Sequence, residues 1–117
     1  SNQAAKPKHF VIQKYIEDPL LIHGRKFDIR VWVLVTHSMQ CYFFKEGYIR
    51  TSSSEYKTDD LDNGFVHLTN NAIQKNSPNY CEYEDGNMMS FDQFRKYLKQ
   101  YHDKPDKFFD QQILTRM

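Results

Sequence analysis

Cysteine is scarce in this 117-residue chain: Cys41 and Cys81 are the only two. Their spacing fits no zinc pattern, and two thiols do not make a disulfide framework. A reducing, cytoplasmic compartment is the default expectation. No run of 18 apolar residues and no signal peptide is readable, so no membrane association is expected. Neither Gly-x-x-x-x-Gly-Lys-Ser/Thr nor Gly-x-Gly-x-x-Gly occurs, which removes the P-loop and the Rossmann fingerprint. The Gly-x-Ser-x-Gly nucleophile elbow is also missing. An excess of charge of one sign is lacking too, since the net charge is +1. No global field therefore favours nucleic acid or an anionic membrane.

The charge that is present is unevenly placed. Residues 1–50 carry eight Lys/Arg against four Asp/Glu, residues 51–94 two against eight, and residues 95–117 six against three. That distribution supports a local basic site in the first half. The apolar material is largely aromatic, with nine Phe, eight Tyr and one Trp. It suffices for one domain core.

The central stretch is 25–36, rich in β-branched and aromatic residues and free of Gly and Pro, which predicts a strand. Alternation puts Phe27, Ile29, Val31, Val33 and Val35 on a core face and Lys26, Asp28 and Arg30 on the other. Residues 39–44 and 48–52 read as two further strands, giving a contiguous antiparallel sheet over 25–52. Cys41 is expected to be a buried thiol there. Residues 9–16 read as a strand broken by Pro19, followed by Leu20-Leu21-Ile22 and a His23-Gly24 turn. Residues 52–64 read as a polar, acidic loop, and His67-Leu68-Thr69-Asn70 as lying near a strand end. Ser90 and Gln93 form a capping box for a helix that buries Phe91, Phe94, Tyr97, Leu98 and Tyr101. A second helix begins at Asp106, with Phe109, Ile113 and Met117 four apart.

Three groups of residues point to chemistry. Gln13-Lys14-Tyr15-Ile16 has the form of a connection whose backbone meets a purine edge, or is a strand end with an exposed lysine. Lys26, Arg30 and Arg50 face one region with only Asp28 to neutralise them, an imbalance that points to a bound anion. Thr69 and Asn70 can orient phosphate or sugar oxygens, or cap the following turn. His67 reads as a satisfied structural histidine.

These stretches together resemble the tubulin–tyrosine ligase family, which includes the tubulin polyglutamylases and glycylases. The resemblance is carried by Val11–Glu17, Pro19–Ile22, Arg25-Lys26-Phe27-Asp28-Ile29-Arg30 with Trp32–Val35, Glu46-Gly47, Arg50-Thr51, His67-Leu68-Thr69-Asn70, Ile73–Lys75 and Glu84–Asn87. It implies an α+β fold, a partial ATP-grasp with an antiparallel sheet and flanking helices. Residues 9–117 would be the central portion of such a ligase domain, truncated at both ends, and residues 1–8 a disordered lead-in. The implied activity is ATP-dependent addition of an amino acid to tubulin C-terminal tails through an acyl phosphate, by tyrosination, glutamylation or glycylation. Gln13, Lys14, Tyr15 and Ile16 would hold adenine, and Lys26 and Asp28 would follow the ribose and phosphates. Arg30 and Arg50 would be catalytic, acting on the γ-phosphate and the activated carboxylate rather than as a structural pair with Asp28. Thr69 and Asn70 would complete the pocket. ATP and Mg²⁺ are the implied cofactors. The metal carboxylates, including a Glu-x-Asn absent here, are expected outside this chain. Tubulin and a free amino acid are the implied partners, and the microtubule cytoskeleton or cilium the implied location. The 117 residues alone are expected to be inactive, and a non-catalytic nucleotide-binding fragment or pseudoenzyme is the alternative reading.

Overall fold

The computed structural model describes residues 9–117; the lead-in read at 1–8 lies outside the described residues. Strand β1 (Leu21–Ile22) turns through His23 and Gly24 into β2 (Arg25–Arg30). Both turn residues have positive φ, 48° and 75°. That is the backbone a two-residue hairpin needs to match strand twist, and Gly24 adopts it without a Cβ penalty. β2 pairs antiparallel with β5 (Tyr48–Glu55), which also pairs with β6 (Met88–Ser90), so the sheet order is β1-β2-β5-β6. Between them β3 (Val33–Val35) and β4 (Cys41–Phe43) form a separate two-stranded sheet.

The expected sheet over 25–52 is thus broken in two. Arg30 pairs with Tyr48 and Val33 with Phe43, so the return strand carries two extra residues around Gly47. Such a bulge bends the pair and ends its pleat. Gly47 is needed there, because a Cβ would lie 2.3 Å from the Arg30 carbonyl and 2.5 Å from the Phe91 ring. Phe27, Ile29 and Val31 pack on the core as expected, whereas Val33 and Val35, beyond the bulge, are exposed. Cys41 is exposed for the same reason, against the expectation of burial.

Helix α3 (Phe91–His102) carries the other half of the core. The expected capping box is present, with Ser90 Oγ accepting from the Gln93 N–H at 3.2 Å and Gln93 Oε1 accepting from the Ser90 N–H at 2.7 Å. Asp103 ends the helix in the left-handed region, with φ 49°. Phe91, Phe94, Tyr97 and Leu98 are buried against Ile22, Ile49, Met89 and Phe109. Each large apolar side chain removed from water here stabilises the fold by roughly 1.5–3 kcal/mol. Tyr101, expected on the buried face, is exposed, although its ring stacks on Tyr97 at 4.9 Å. The segment after Asp106 is a π-helical turn (Phe109–Ile113) followed by a 3-10 turn, and Met117 is exposed rather than packed.

Three further expectations change. Residues 9–16 form no strand, because no strand of the described residues lies alongside them, and Phe10, Val11 and Ile12 are exposed. Residues 52–55 belong to β5, and Ser52 and Ser53 are fully buried instead of lying in a loop. Polar partners make that burial tolerable. Gln74 Oε1 accepts from the Ser53 N–H at 2.8 Å and from its hydroxyl at 2.6 Å, and Asn87 Nδ2 donates to Ser53 Oγ at 2.9 Å. Finally, residues 64–74 hold two short helices, α1 (Gly64–His67) and α2 (Asn71–Gln74), rather than a strand end. Asn63 caps α1 through the Phe65 N–H. Gln74 Nε2 donates to the carbonyls of Phe65 and Leu68, which pins the α1–α2 turn onto β5.

Candidate functional site

β2 presents Lys26 and Asp28 toward the α1–α2 turn, while Phe27 and Ile29 face the core. Asp28 stands opposite Arg50 in register. The Arg50 guanidinium binds it with two parallel bonds, Nε to Oδ1 at 2.8 Å and Nη2 to Oδ2 at 2.5 Å. Thr69 Oγ1 donates to the same Oδ2 at 2.7 Å. This corrects the expectation that Arg50 stands apart from Asp28. Cross-strand opposition puts the two side chains within reach, and a bidentate fork is the strongest pairing open to them. Arg50 Nη1 is left free of any bond among the described residues, so the pair is an oriented donor rather than a spent one. Arg30 is exposed, and its side chain makes no hydrogen bond among the described residues. Asn70 is the N-cap residue of α2 without a side-chain capping bond, and it stays exposed beside Thr69.

Burial pushes the Asp28 carboxyl up. Hydrogen bonds from Arg50 and Thr69 and the charges of Arg50 and Arg30 outweigh it, and the net result lies below the usual carboxylate range. The unfolded carboxyl, near about 3.9, therefore binds protons in a window where the folded one does not. Stability carried by Asp28 is present above that value and is lost as pH falls through the lowered folded value. Urea unfolding at a series of pH values from about 5 to 2.5 is expected to show stability falling with acid, and Asp28→Asn to flatten that slope. Equal slopes in the two proteins would contradict the assignment.

A second group lies beside the first. Lys26 Nζ donates to the Tyr15 hydroxyl and to the His67 carbonyl, each at 3.1 Å, and sits 4.7 Å from the Tyr15 ring centroid. Tyr15 bonds His67 Nδ1 at 2.8 Å. Residues 13–17 therefore form a strap tied to β2 and α1 through the Tyr15 side chain. Lys14, Tyr15 and Ile16 line a hollow of about 500 Å³. A second hollow lined by Tyr15, of about 760 Å³, reaches Leu61, His67 and Leu68. A hollow of comparable size, about 790 Å³, lies far from these residues, between the β3–β4 hairpin and Leu114.

The structure thus brings together Tyr15 with Lys26, and Asp28 with Arg50 and Thr69. Gln13, Lys14 and Ile16 are exposed on the strap without side-chain hydrogen bonds among the described residues. Sequence reasoning missed Tyr56, whose hydroxyl donates to the Glu17 carbonyl at 2.9 Å and whose ring meets His67 edge-on. It also gave Glu84 no role, although the Glu84–Asn87 motif was visible. Glu84 holds the buried Arg25 in a two-bond ion pair at 2.5 and 3.0 Å, and accepts from Thr51 at 2.8 Å.

No three His, Cys, Asp or Glu among the described residues converge on a metal position. Asp28 is committed to Arg50 and Thr69. The residues described here do not fit a Mg²⁺ site, and no helix among them is long and apolar enough to cross a membrane.

Comparison with known proteins adds an independent finding. Residues 2–117 match the model of a family described as the tubulin-tyrosine ligase family. The chain is similar to tubulin glycylase 3B of Tetrahymena thermophila, 46% identical over 108 residues that cover 91% of this chain and 9% of that protein. It is 39% identical over 97 residues to a protein named probable tubulin polyglutamylase TTLL9 from Rattus norvegicus, covering 81% of this chain and 21% of that one. Against human tubulin monoglycylase TTLL3 the identity is 43% over 101 residues, 81% of this chain and 13% of the relative. The chain therefore spans a small part of the length of these relatives.

Proposed function

The chain belongs to the tubulin-tyrosine ligase family, and from that premise we propose that it is the nucleotide-binding portion of an ATP-dependent ligase that joins an amino acid to tubulin tails. The names of its relatives favour glycine or glutamate over tyrosine as the amino acid added. A cytoskeletal location follows from the same names. One observation carries the reading: Lys26 and Arg30 stand on one strand, on either side of the Asp28–Arg50–Thr69 cluster and next to the strap that carries Tyr15.

Each group then has a task. The strap backbone from Gln13 to Ile16 meets the purine edge, and Tyr15 covers the start of the phosphate path. The Lys26 ammonium takes the phosphates as a point charge. ATP would supply the γ-phosphoryl group to the acceptor carboxylate with release of ADP, and an amine would then attack the carbonyl carbon of the acyl phosphate and expel phosphate to form the amide. Negative charge builds on equatorial oxygens in that chemistry, and Arg30 and Arg50 Nη1 are planar donors suited to hold it. Asp28 and Thr69 keep the Arg50 plane from rotating, while Asn70 offers an amide to the ribose or phosphate.

The test uses the full-length protein with ATP, tubulin and labelled glycine, glutamate or tyrosine in parallel. ATP-dependent label in the tubulin tail is the expected result. No incorporation of any of the three, with ATP binding retained, would favour a non-catalytic nucleotide-binding protein instead.

A further inference from the structure

We propose that His67 is a positioning residue: its ring tethers the strap at 13–17 and, through Tyr15, fixes the Lys26 ammonium in one place. The proposal rests on the nucleotide-binding reading above and adds to it the group that holds that site together.

Chemistry fixes the hydrogen-bond directions at both ends of this contact chain. A lysine ammonium only donates, so the Tyr15 hydroxyl accepts from Lys26 Nζ. The same hydroxyl lies 2.8 Å from His67 Nδ1, to which it donates when the ring is neutral. His67 Nε2 lies 2.9 Å from the Asp60 carbonyl, which only accepts, so Nε2 carries the ring proton. The contacts Lys26–Tyr15–His67–Asp60 therefore form one continuous chain, and with the ring in its Nε2–H tautomer each bond in it has one donor and one acceptor. The same residue's backbone carbonyl takes a second Lys26 proton at 3.1 Å. His67 is 8% exposed. It is clasped edge-on by Tyr15 and Tyr56, each with ring centroids 5.7 Å away. Tyr56 in turn holds the Glu17 carbonyl. No β-ladder anchors residues 13–17 among the described residues, so these side chains are what hold the strap down.

A positioning role differs from plain packing in what it couples. His67→Phe keeps an aromatic ring and removes the acceptor, and Tyr15→Phe removes the bridging hydroxyl. His67→Asn returns an acceptor near the Nδ1 position. In the full-length protein, His67→Phe and Tyr15→Phe are each expected to raise the ATP dissociation constant about three- to tenfold, the range for one lost hydrogen bond. The double variant should be no worse than either single one, because both cut the same chain. His67→Asn should recover most of the affinity. Limited trypsin digestion gives a readout without nucleotide: cleavage after the exposed Lys14 should quicken in both Phe variants and slow again in His67→Asn. Unchanged cleavage at Lys14 together with unchanged ATP affinity in His67→Phe overturns the proposal, as does full additivity in the double variant. Failure of the nucleotide reading looks different. The wild-type protein would not bind ATP, or Lys26→Met would bind it unchanged, while the Lys14 cleavage rates would still decide whether His67 holds the strap.

Discussion

On the proposed ligase reading, Arg30→Lys in the full-length protein is expected to lower kcat by about 10²–10³-fold, the cost of one donor aimed at developing charge, while leaving the melting temperature where it was. The reasoning is in the contacts. The Arg30 side chain is exposed at the end of β2 and makes no hydrogen bond among the described residues, so the fold loses nothing when its fork is replaced. Lysine keeps the charge but cannot span two oxygens at once. Arg50→Lys is expected to behave differently. It removes the two-bond grip on Asp28, so melting temperature and kcat should fall together. The pair is partly exposed, and its stability contribution is correspondingly modest. Calorimetry and steady-state kinetics on both variants separate the roles. An unchanged kcat in Arg30→Lys removes Arg30 from the chemistry, and an unchanged kcat in both variants removes the pair of arginines.

The second large effect lies away from the chemistry. Glu84→Ala should destabilise the fold by about 3–5 kcal/mol, because it leaves a buried guanidinium without its counter-charge. Arg25 is 1% exposed, and the Glu84 side chain 12%. Arg25 also donates to the Ser52 carbonyl at 3.0 Å and lies 4.1 Å from the centroid of the Tyr83 ring, so its position is fixed on several sides. Its Nε is buried with no partner, which leaves no slack when Glu84 is lost. Replacing both partners at once, Arg25→Met with Glu84→Met, should cost far less than Glu84→Ala alone, since no charge is then stranded. Denaturant unfolding of the three proteins measures this. A double variant as unstable as the sum of its single changes would show that the two side chains do not act as a pair.

This ion pair explains what the Glu84–Asn87 motif does in the fold. Glu84 joins β2 to β5 through Arg25 and Thr51, and Asn87 donates to the Thr51 carbonyl at 3.3 Å and to Ser53. Gln74 does the same work from the other side. The two amides and the ion pair hold β5 so that Arg50 meets Asp28, and hold the α1–α2 turn so that Thr69 reaches the same carboxylate.

Local features were legible from residues alone because local rules govern them. The capping box at Ser90 and Gln93, the Phe91–Leu98 stripe, the His23-Gly24 turn and the Lys26/Asp28 alternation each depend on neighbours a few positions away. The family, too, was readable from short motifs in order. Long-range pairing decided the rest. The bulge at Gly47 comes from a carbonyl and a Phe91 ring that approach from distant sequence, and it moved Val33, Val35 and Cys41 out of the core. Ser52 and Ser53 look like loop residues until Gln74 and Asn87 satisfy them. Residues 9–16 have the composition of a strand, but a strand exists only against a partner backbone. Arg50 reads as a free cation until the β2–β5 register sets it opposite Asp28. Composition and periodicity determined which residues are apolar, charged or turn-forming; only tertiary structure decided which charges meet, since a hydrogen bond depends on two positions and sequence pattern describes one at a time.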